Sequence, residues 1–203
     1  MPRLVAFGCS YTKGWALPDQ WEAHDYDNIN PSNLAWPKLL GDLLKVDTVN
    51  MGKGGNCNIR ILYDILNFDF NTDDIVIVGW SYFHRTYFTQ MRIKYNPFTL
   101  ESPPLIPHKS VEEDNIVKNY IFIYTAHLYL TNKKIINFGL PMINDYHNFK
   151  VPEYLNSNCV ITDFSPQDHF RTDTANDKKH PGPKTHALLA EMTYNRIKDH
   201  VIY

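Results

Sequence analysis

Ser10 stands just past a short apolar run, Leu4-Val5-Ala6-Phe7, inside the string Gly8-Cys9-Ser10-Tyr11-Thr12. Near the other end of the chain, Asp177-Lys178-Lys179-His180-Pro181 sets a carboxylate three residues before an imidazole. A serine hydroxyl is a poor nucleophile until a base takes its proton, and an imidazole base needs a carboxylate to fix its tautomer. Nucleophile, carboxylate and base are all present, in the chain order Ser10, Asp177, His180. Each alone has a plain structural reading, a serine or an aspartate capping a helix or closing a turn. Together, with a glycine cluster between them, they point to a serine hydrolase.

Such groups need a scaffold that brings distant segments to one place. Leu4 to Phe7 ends at Gly8 and reads as a buried parallel strand. Asn33 to Lys45 carries helical spacing, with Leu34, Leu39, Leu40, Leu43 and Leu44 as its apolar stripe. Val46 to Met51 is a second strand, broken at Gly52-Lys53-Gly54-Gly55. Asn56 to Phe68 resumes helical spacing through Ile59, Leu62, Ile65 and Leu66, and Ile75-Val76-Ile77-Val78-Gly79 is the clearest strand. Residues 90–112 form a Pro-rich insert, a surface excursion or a lid. Glu112 to Thr131 predicts a long helix, Lys134 to Leu140 a strand, and Pro183 to Asp199 a closing helix. Strand–helix alternation predicts a three-layer α/β/α sandwich with a central parallel sheet, as one domain over residues 1–203. Sites in such sheets form at the carboxyl ends of strands, where Ser10, Gly55 and Ser81 all fall.

On these residues the sequence resembles the SGNH hydrolase superfamily, also called GDSL-type esterases and lipases. Gly8-Cys9-Ser10-Tyr11-Thr12 is similar to the first block, with Cys9 in place of the usual Asp. Asn50-Met51-Gly52-Lys53-Gly54-Gly55 is similar to the second, and Asn58-Ile59-Arg60-Ile61 continues it. Asp177 to Pro181 resembles the last block, and Gly182-Pro183-Lys184-Thr185-His186 its helix-opening extension. The third block departs: Gly79-Trp80-Ser81 puts Ser81 where the family carries an Asn, with Arg85 following in a Trp-Ser-x-x-x-Arg pattern resembling virus-encoded and bacterial relatives. The resemblance implies Ser10, Asp177 and His180 as catalytic residues and the Ser10 and Gly55 amides as oxyanion donors, helped by Ser81. Asn58 and Arg85 are expected at the oxyanion or substrate site, where the Arg85 guanidinium, near Ser81, would either clamp a carboxylate or, as the favoured role, brace the loop. A hydroxyl has a shorter reach and a freer rotor than the amide it replaces, which puts full activity at Ser81 in question.

Composition excludes several other classes. The 203 residues are 43% hydrophobic and 21% charged, with a formal net charge of −2, so nothing draws the chain to nucleic acid or anionic membranes. No apolar run approaches a membrane span, and Met1-Pro2-Arg3 leads directly into a strand, which predicts a cytoplasmic protein, or one carried in or released with a virus if virus-encoded. Cys9, Cys57 and Cys159 are an odd number without metal-ligand spacing, and Cys9 reads as a packing residue. The glycine cluster lacks the Gly-Lys-Ser/Thr ending of a phosphate loop, and no histidine pair shows ligand spacing, so no cofactor or metal is expected. Lys178 and Lys179 read as a solvated pair, and His147 and His169 as residues that reach substrate or surface. Trp15, Trp21, Trp80, Tyr11 and Tyr82 near strand ends suit stacking on sugar rings, which favours a carbohydrate O-acetyl ester as substrate. Three other readings stay open: a weakly active or inactive glycan- or protein-binding module, an acyltransferase, and a lipase or thioesterase on the same site. The sequence does not set the oligomeric state.

Overall fold

The computed structural model describes residues 2–21, 30–83, 85–88, 93–95, 109–140 and 171–201. Most of the Pro-rich insert, the segment 141–170, Cys159, His24, His84, His108, His147 and His169 lie outside the described residues. So does the question of a lid.

Four strands form one parallel sheet in the order β2-β1-β3-β6: β1 (Arg3–Gly8), β2 (Asp47–Asn50), β3 (Ile75–Gly79) and β6 (Ile136–Leu140). Alternate side chains of a strand point to opposite faces. Leu4, Ala6, Ile75, Ile77, Phe138 and Leu140 therefore face one layer, where Trp36, Leu40 and Leu44 of α3 (Trp36–Leu44) meet Leu189, Ala190 and Ile197 of α6 (Pro183–Ile197). Val5, Phe7, Val76 and Val78 face the other, against Ile61 and Ile65 of α4 (Asn58–Leu66) and Ile123, Ala126 and Leu130 of α5 (Lys109–Asn132). The central strands β1 and β3 are buried on both faces and read as apolar runs, whereas the edge strand β2, Asp47-Thr48-Val49-Asn50, is not fully buried. The result is a mixed α/β fold with a parallel sheet between two helical layers, as expected.

Local chemistry sets the helix ends. Pro37 and Pro183 stand in the first turns of α3 and α6, where the missing N–H costs nothing. Lys45 closes α3 in the left-handed region, its N–H donating to the carbonyls of Asp42 and Gly41.

The helix faces differ in phase from expectation. Leu43, Ile59 and Leu66 are exposed, while Trp36 and Ile61 take inward positions. Both helices carry apolar residues on more than one face, so spacing alone does not select the buried one. Two features had no counterpart in the sequence reading. The loop after β1 contains helical turns α1 (Ser10–Lys13) and α2 (Pro18–Trp21), and β4 (Thr86–Phe88) pairs antiparallel with β5 (Ile93–Tyr95). Elements of three or four residues are too short to show a period.

Candidate active site

Gly8 of β1 pairs with Gly79 of β3, and both glycines are required by what lies over them. A β-carbon on Gly8 would sit 2.0 Å from the Thr12 hydroxyl, and one on Gly79 2.7 Å from it. Thr12 is thus seated over two bare strand ends, which lets α1 fold back across the sheet edge. Asn50 at the end of β2 fastens this turn: its amide donates to the Thr12 carbonyl at 2.7 Å and its oxygen accepts from Gly52 N–H at 2.9 Å. Cys9, fully buried in extended conformation, turns the chain from strand to helix and delivers Ser10 at the first position of α1.

The opposite partner comes from a short hairpin before α6. Thr174 bridges Pro181 in antiparallel fashion, Ala175 N–H donates to the His180 carbonyl, and Gly182 N–H donates to the Asp173 carbonyl. Asp177 occupies the turn of this hairpin. One of its oxygens accepts from the backbone N–H of Lys179 and His180, and the other lies 2.5 Å from His180 Nδ1. His180 Nε2 lies 3.0 Å from Ser10 Oγ. Desolvation opposes ionisation of Asp177, yet the His180 backbone N–H and ring and the Lys179 N–H outweigh it and hold the carboxyl below its usual range. A charged Asp177 fixes the proton on Nδ1 and leaves Nε2 as acceptor for the Ser10 proton.

Gly55 has φ of +64°, a left-handed conformation that a residue without a β-carbon adopts freely. Ser81 stands two residues beyond Gly79, as Ser10 stands two beyond its pairing partner Gly8. It is held tightly. Its N–H donates to Asn58 Oδ1 at 2.7 Å, and Asn58 Nδ2 donates to the Ser81 carbonyl at 2.9 Å and to Asn119 Oδ1 at 2.7 Å. Both Asn58 amide protons are spent on these contacts, and the residue is 1% exposed. Arg85 Nη1 donates to Ser81 Oγ at 3.0 Å and to the Asn56 carbonyl at 3.4 Å. The Arg85 guanidinium lies over the Tyr82 ring, 4.6 Å from its centre. Tyr82, whose ionisation is opposed first by burial and then by Tyr11, is hydrogen-bonded to Tyr11, and the Tyr11 ring lies 5.4 Å from that of His180.

The aromatic set divides. Tyr11 borders His180, but Trp80 is a core residue on the α4–α5 side and cannot stack on a ligand. Lys13 Nζ sits over the Trp15 ring. Cys9 and Cys57 are free thiols, both buried, and burial pushes the Cys57 thiol up. Among the described residues no three His, Cys, Asp or Glu side chains are grouped to hold a metal ion, and no helix is long and apolar enough to cross a membrane.

Two residues around the site were given no role of their own by the sequence reading. Asp173 accepts from the backbone N–H of Lys184 and Thr185 and from the Thr185 hydroxyl, all within 2.9 Å, and so caps α6 from the hairpin. His186 is 2% exposed, and its Nδ1 accepts the Trp36 N–H at 3.1 Å, tying the start of α6 to the start of α3. The Thr-x-Thr around Asp173 is a weak capping signal ten residues early; nothing in the sequence marks His186 as buried.

No family model matches the sequence, and no curated protein matches it. Solved structures do share its fold. A member of the lipolytic protein G-D-S-L family from Veillonella parvula is 13% identical, with a TM-score of 0.54 over 98% of this chain and 99% of that one. An acetyl xylan esterase from Butyrivibrio proteoclasticus is 14% identical with a TM-score of 0.59, and a family two carbohydrate esterase from Clostridium thermocellum, solved with cellohexaose, is 14% identical with 0.60. Each covers 98% of this chain, which spans 64% of their length. At such identity the likeness defines the class of fold, that of the G-D-S-L lipolytic proteins and these esterases.

Proposed function

We propose that this protein is a serine esterase that hydrolyses a carboxylic ester through an acyl-Ser10 intermediate. The observation that carries the reading is the continuous contact from Asp177 through His180 to Ser10, with 2.5 Å and 3.0 Å between the heavy atoms. Ser10 Oγ attacks the ester carbonyl carbon while His180 Nε2 takes its proton. The carbonyl oxygen becomes an oxyanion, received by the backbone N–H groups of Ser10 and Gly55 and by Ser81. Collapse breaks the bond to the alcohol, which leaves with the proton from His180. A water molecule then attacks the acyl-enzyme by the reverse route, releasing the acid and restoring the Ser10 hydroxyl.

The substrate we favour is a carbohydrate O-acetyl ester. The support is that two proteins sharing the fold are named as an acetyl xylan esterase and a carbohydrate esterase. Labelling with a fluorophosphonate, followed by peptide mass spectrometry, tests the reading without a known substrate. An adduct on Ser10 of wild type that is lost in His180→Ala is the expected result. A folded wild type that carries no adduct overturns it. Acetate release from acetylated xylan, against none from acyl-thioesters or lysophospholipids, tests the substrate class.

A further inference from the structure

The Ser81 region contains more fixed polar contacts than a turn requires. Ser81, Asn58 and Asn119 are 2%, 1% and 4% exposed, and their amides and carbonyls satisfy one another. Asn119 also donates to the carbonyls of Phe83 and Asn115, so α5 helps hold the turn after β3. Buried polar networks that are fully paired make a segment rigid. The rigid object here is the Ser81 backbone, and the only side chain brought to its hydroxyl among the described residues is Arg85.

We propose that Arg85 is a positioning residue that turns Ser81 into a directed oxyanion donor, so that the Ser81–Arg85 pair replaces a carboxamide. The inference rests on the esterase reading above. A free hydroxyl rotor points its proton at whichever acceptor is nearest. Arg85 has no acceptor, so its Nη1–H can only donate, and it occupies the Ser81 oxygen from one side at 3.0 Å. The Ser81 proton is thereby excluded from the Arg85 direction and left to donate elsewhere. A charged donor on the oxygen also polarises the O–H bond and strengthens what it donates. The same Nη1 reaches the carbonyl of Asn56, the residue after Gly55. That carbonyl helps hold the guanidinium in place beside Ser81. Tyr82 completes the seat by stacking beneath the guanidinium, and its hydrogen bond to Tyr11 links that seat to the wall beside His180. A lysine could supply charge to this position but not a planar group able to stack and bridge at once.

The test is a double-mutant cycle on turnover of p-nitrophenyl acetate, with Ser10 labelling by fluorophosphonate as the control on the underlying reading. Ser81→Ala is expected to lower kcat by about 100-fold with little change in KM, as for loss of one oxyanion donor. Arg85→Ala should lower kcat by a similar factor, and the double variant should be no worse than Ser81→Ala alone, because Arg85 acts through that hydroxyl. Millimolar guanidinium, well below denaturing levels, should raise the rate of Arg85→Ala and leave the double variant unchanged. Arg85→Lys, which keeps the charge and is the safer variant for folding, should retain intermediate activity. Losses that multiply in the double variant, or a loss in Arg85→Ala confined to KM, overturn the inference while leaving the esterase intact. A wild type that neither labels at Ser10 nor turns over substrate removes the esterase reading itself, and this inference with it.

Discussion

At the scale of single residues, the two imidazoles near the site are set to opposite tasks by their surroundings. His180 is partly open, pairs through Nδ1 with a carboxylate held ionised, and presents Nε2 to a hydroxyl. His186, six residues on, is 2% exposed and lines a small cavity with Trp36, Leu140, Pro181 and Leu189, and burial pushes it down from 6.5 to about 4. It therefore stays neutral, as its role as acceptor for the Trp36 N–H requires. The folded state resists the proton that the unfolded chain takes up below 6.5, so stability rises with pH across this window. The contribution is complete above 6.5, declines on acidification and is lost near 4. Replacing His186 with Phe should remove that part of the pH dependence and cost about 1 to 3 kcal/mol at neutral pH, because the Trp36 N–H is left buried without an acceptor. Urea midpoints measured at about pH 7 and about pH 5 check this: wild type should lose more between them than His186→Phe. An equal loss in both would mean that His186 does not supply the slope.

Elements explain how residues so far apart in the chain meet. The hairpin carrying Asp177 and His180 is joined to α6 by Asp173, whose carboxylate takes two N–H groups of the first turn and the Thr185 hydroxyl. Arg171 adds a donor to the carbonyls of Lys179 and His180. α6 is in turn packed on α3 and the sheet, so the position of His180 is set by the core through two short links. Asp173→Ala should therefore destabilise the protein by about 1 to 2 kcal/mol, the usual cost of a lost cap. It should also slow labelling of Ser10 in the fraction that stays folded. Thermal unfolding and fluorophosphonate labelling rates on the same preparation separate the two effects. A destabilised variant that labels at the wild-type rate would show that the hairpin holds His180 without this link. This level of organisation was hard to read from sequence. The strand–helix alternation was legible chiefly because the central strands β1 and β3 are apolar runs, and Ser10, Asp177 and His180 stood out by residue type. Asp173 and Asn119 act through backbone groups brought near by folding, and no spacing in the chain encodes those. Asn58 was noticed for its place in a motif, but only its spent amide protons reveal which way it works.

Across the whole molecule, the two edges of the sheet are built for different ends. The carboxyl edge gathers Ser10, Ser81 and the His180 hairpin, and its contacts are short polar reaches between loops. The amino edge is closed by Arg3 on β1, whose guanidinium makes two parallel hydrogen bonds, 2.9 Å and 2.7 Å, to the Asp74 carboxylate just before β3. The Asp74 side chain has no exposure, and the Arg3 side chain retains 28%. Asp74 also accepts from Asn71 N–H, so its charge is met on two sides. A carboxylate this deeply placed is costly to leave without its cation. Arg3→Ala should consequently lower stability by about 2 to 3 kcal/mol, a discount on a fully buried pair because Arg3 is partly solvated. It lies one strand length from Ser10, and β1 and β3 remain paired through five residues between the two edges. Turnover per folded molecule should therefore be unchanged. Chemical denaturation together with Ser10 labelling stoichiometry on the native protein measures both quantities in one sample. A fall in labelling among molecules that are still folded would mean that strain at the amino edge travels the length of β1 to Ser10. An unchanged labelling fraction with a lowered midpoint would assign the Arg3–Asp74 pair to stability alone.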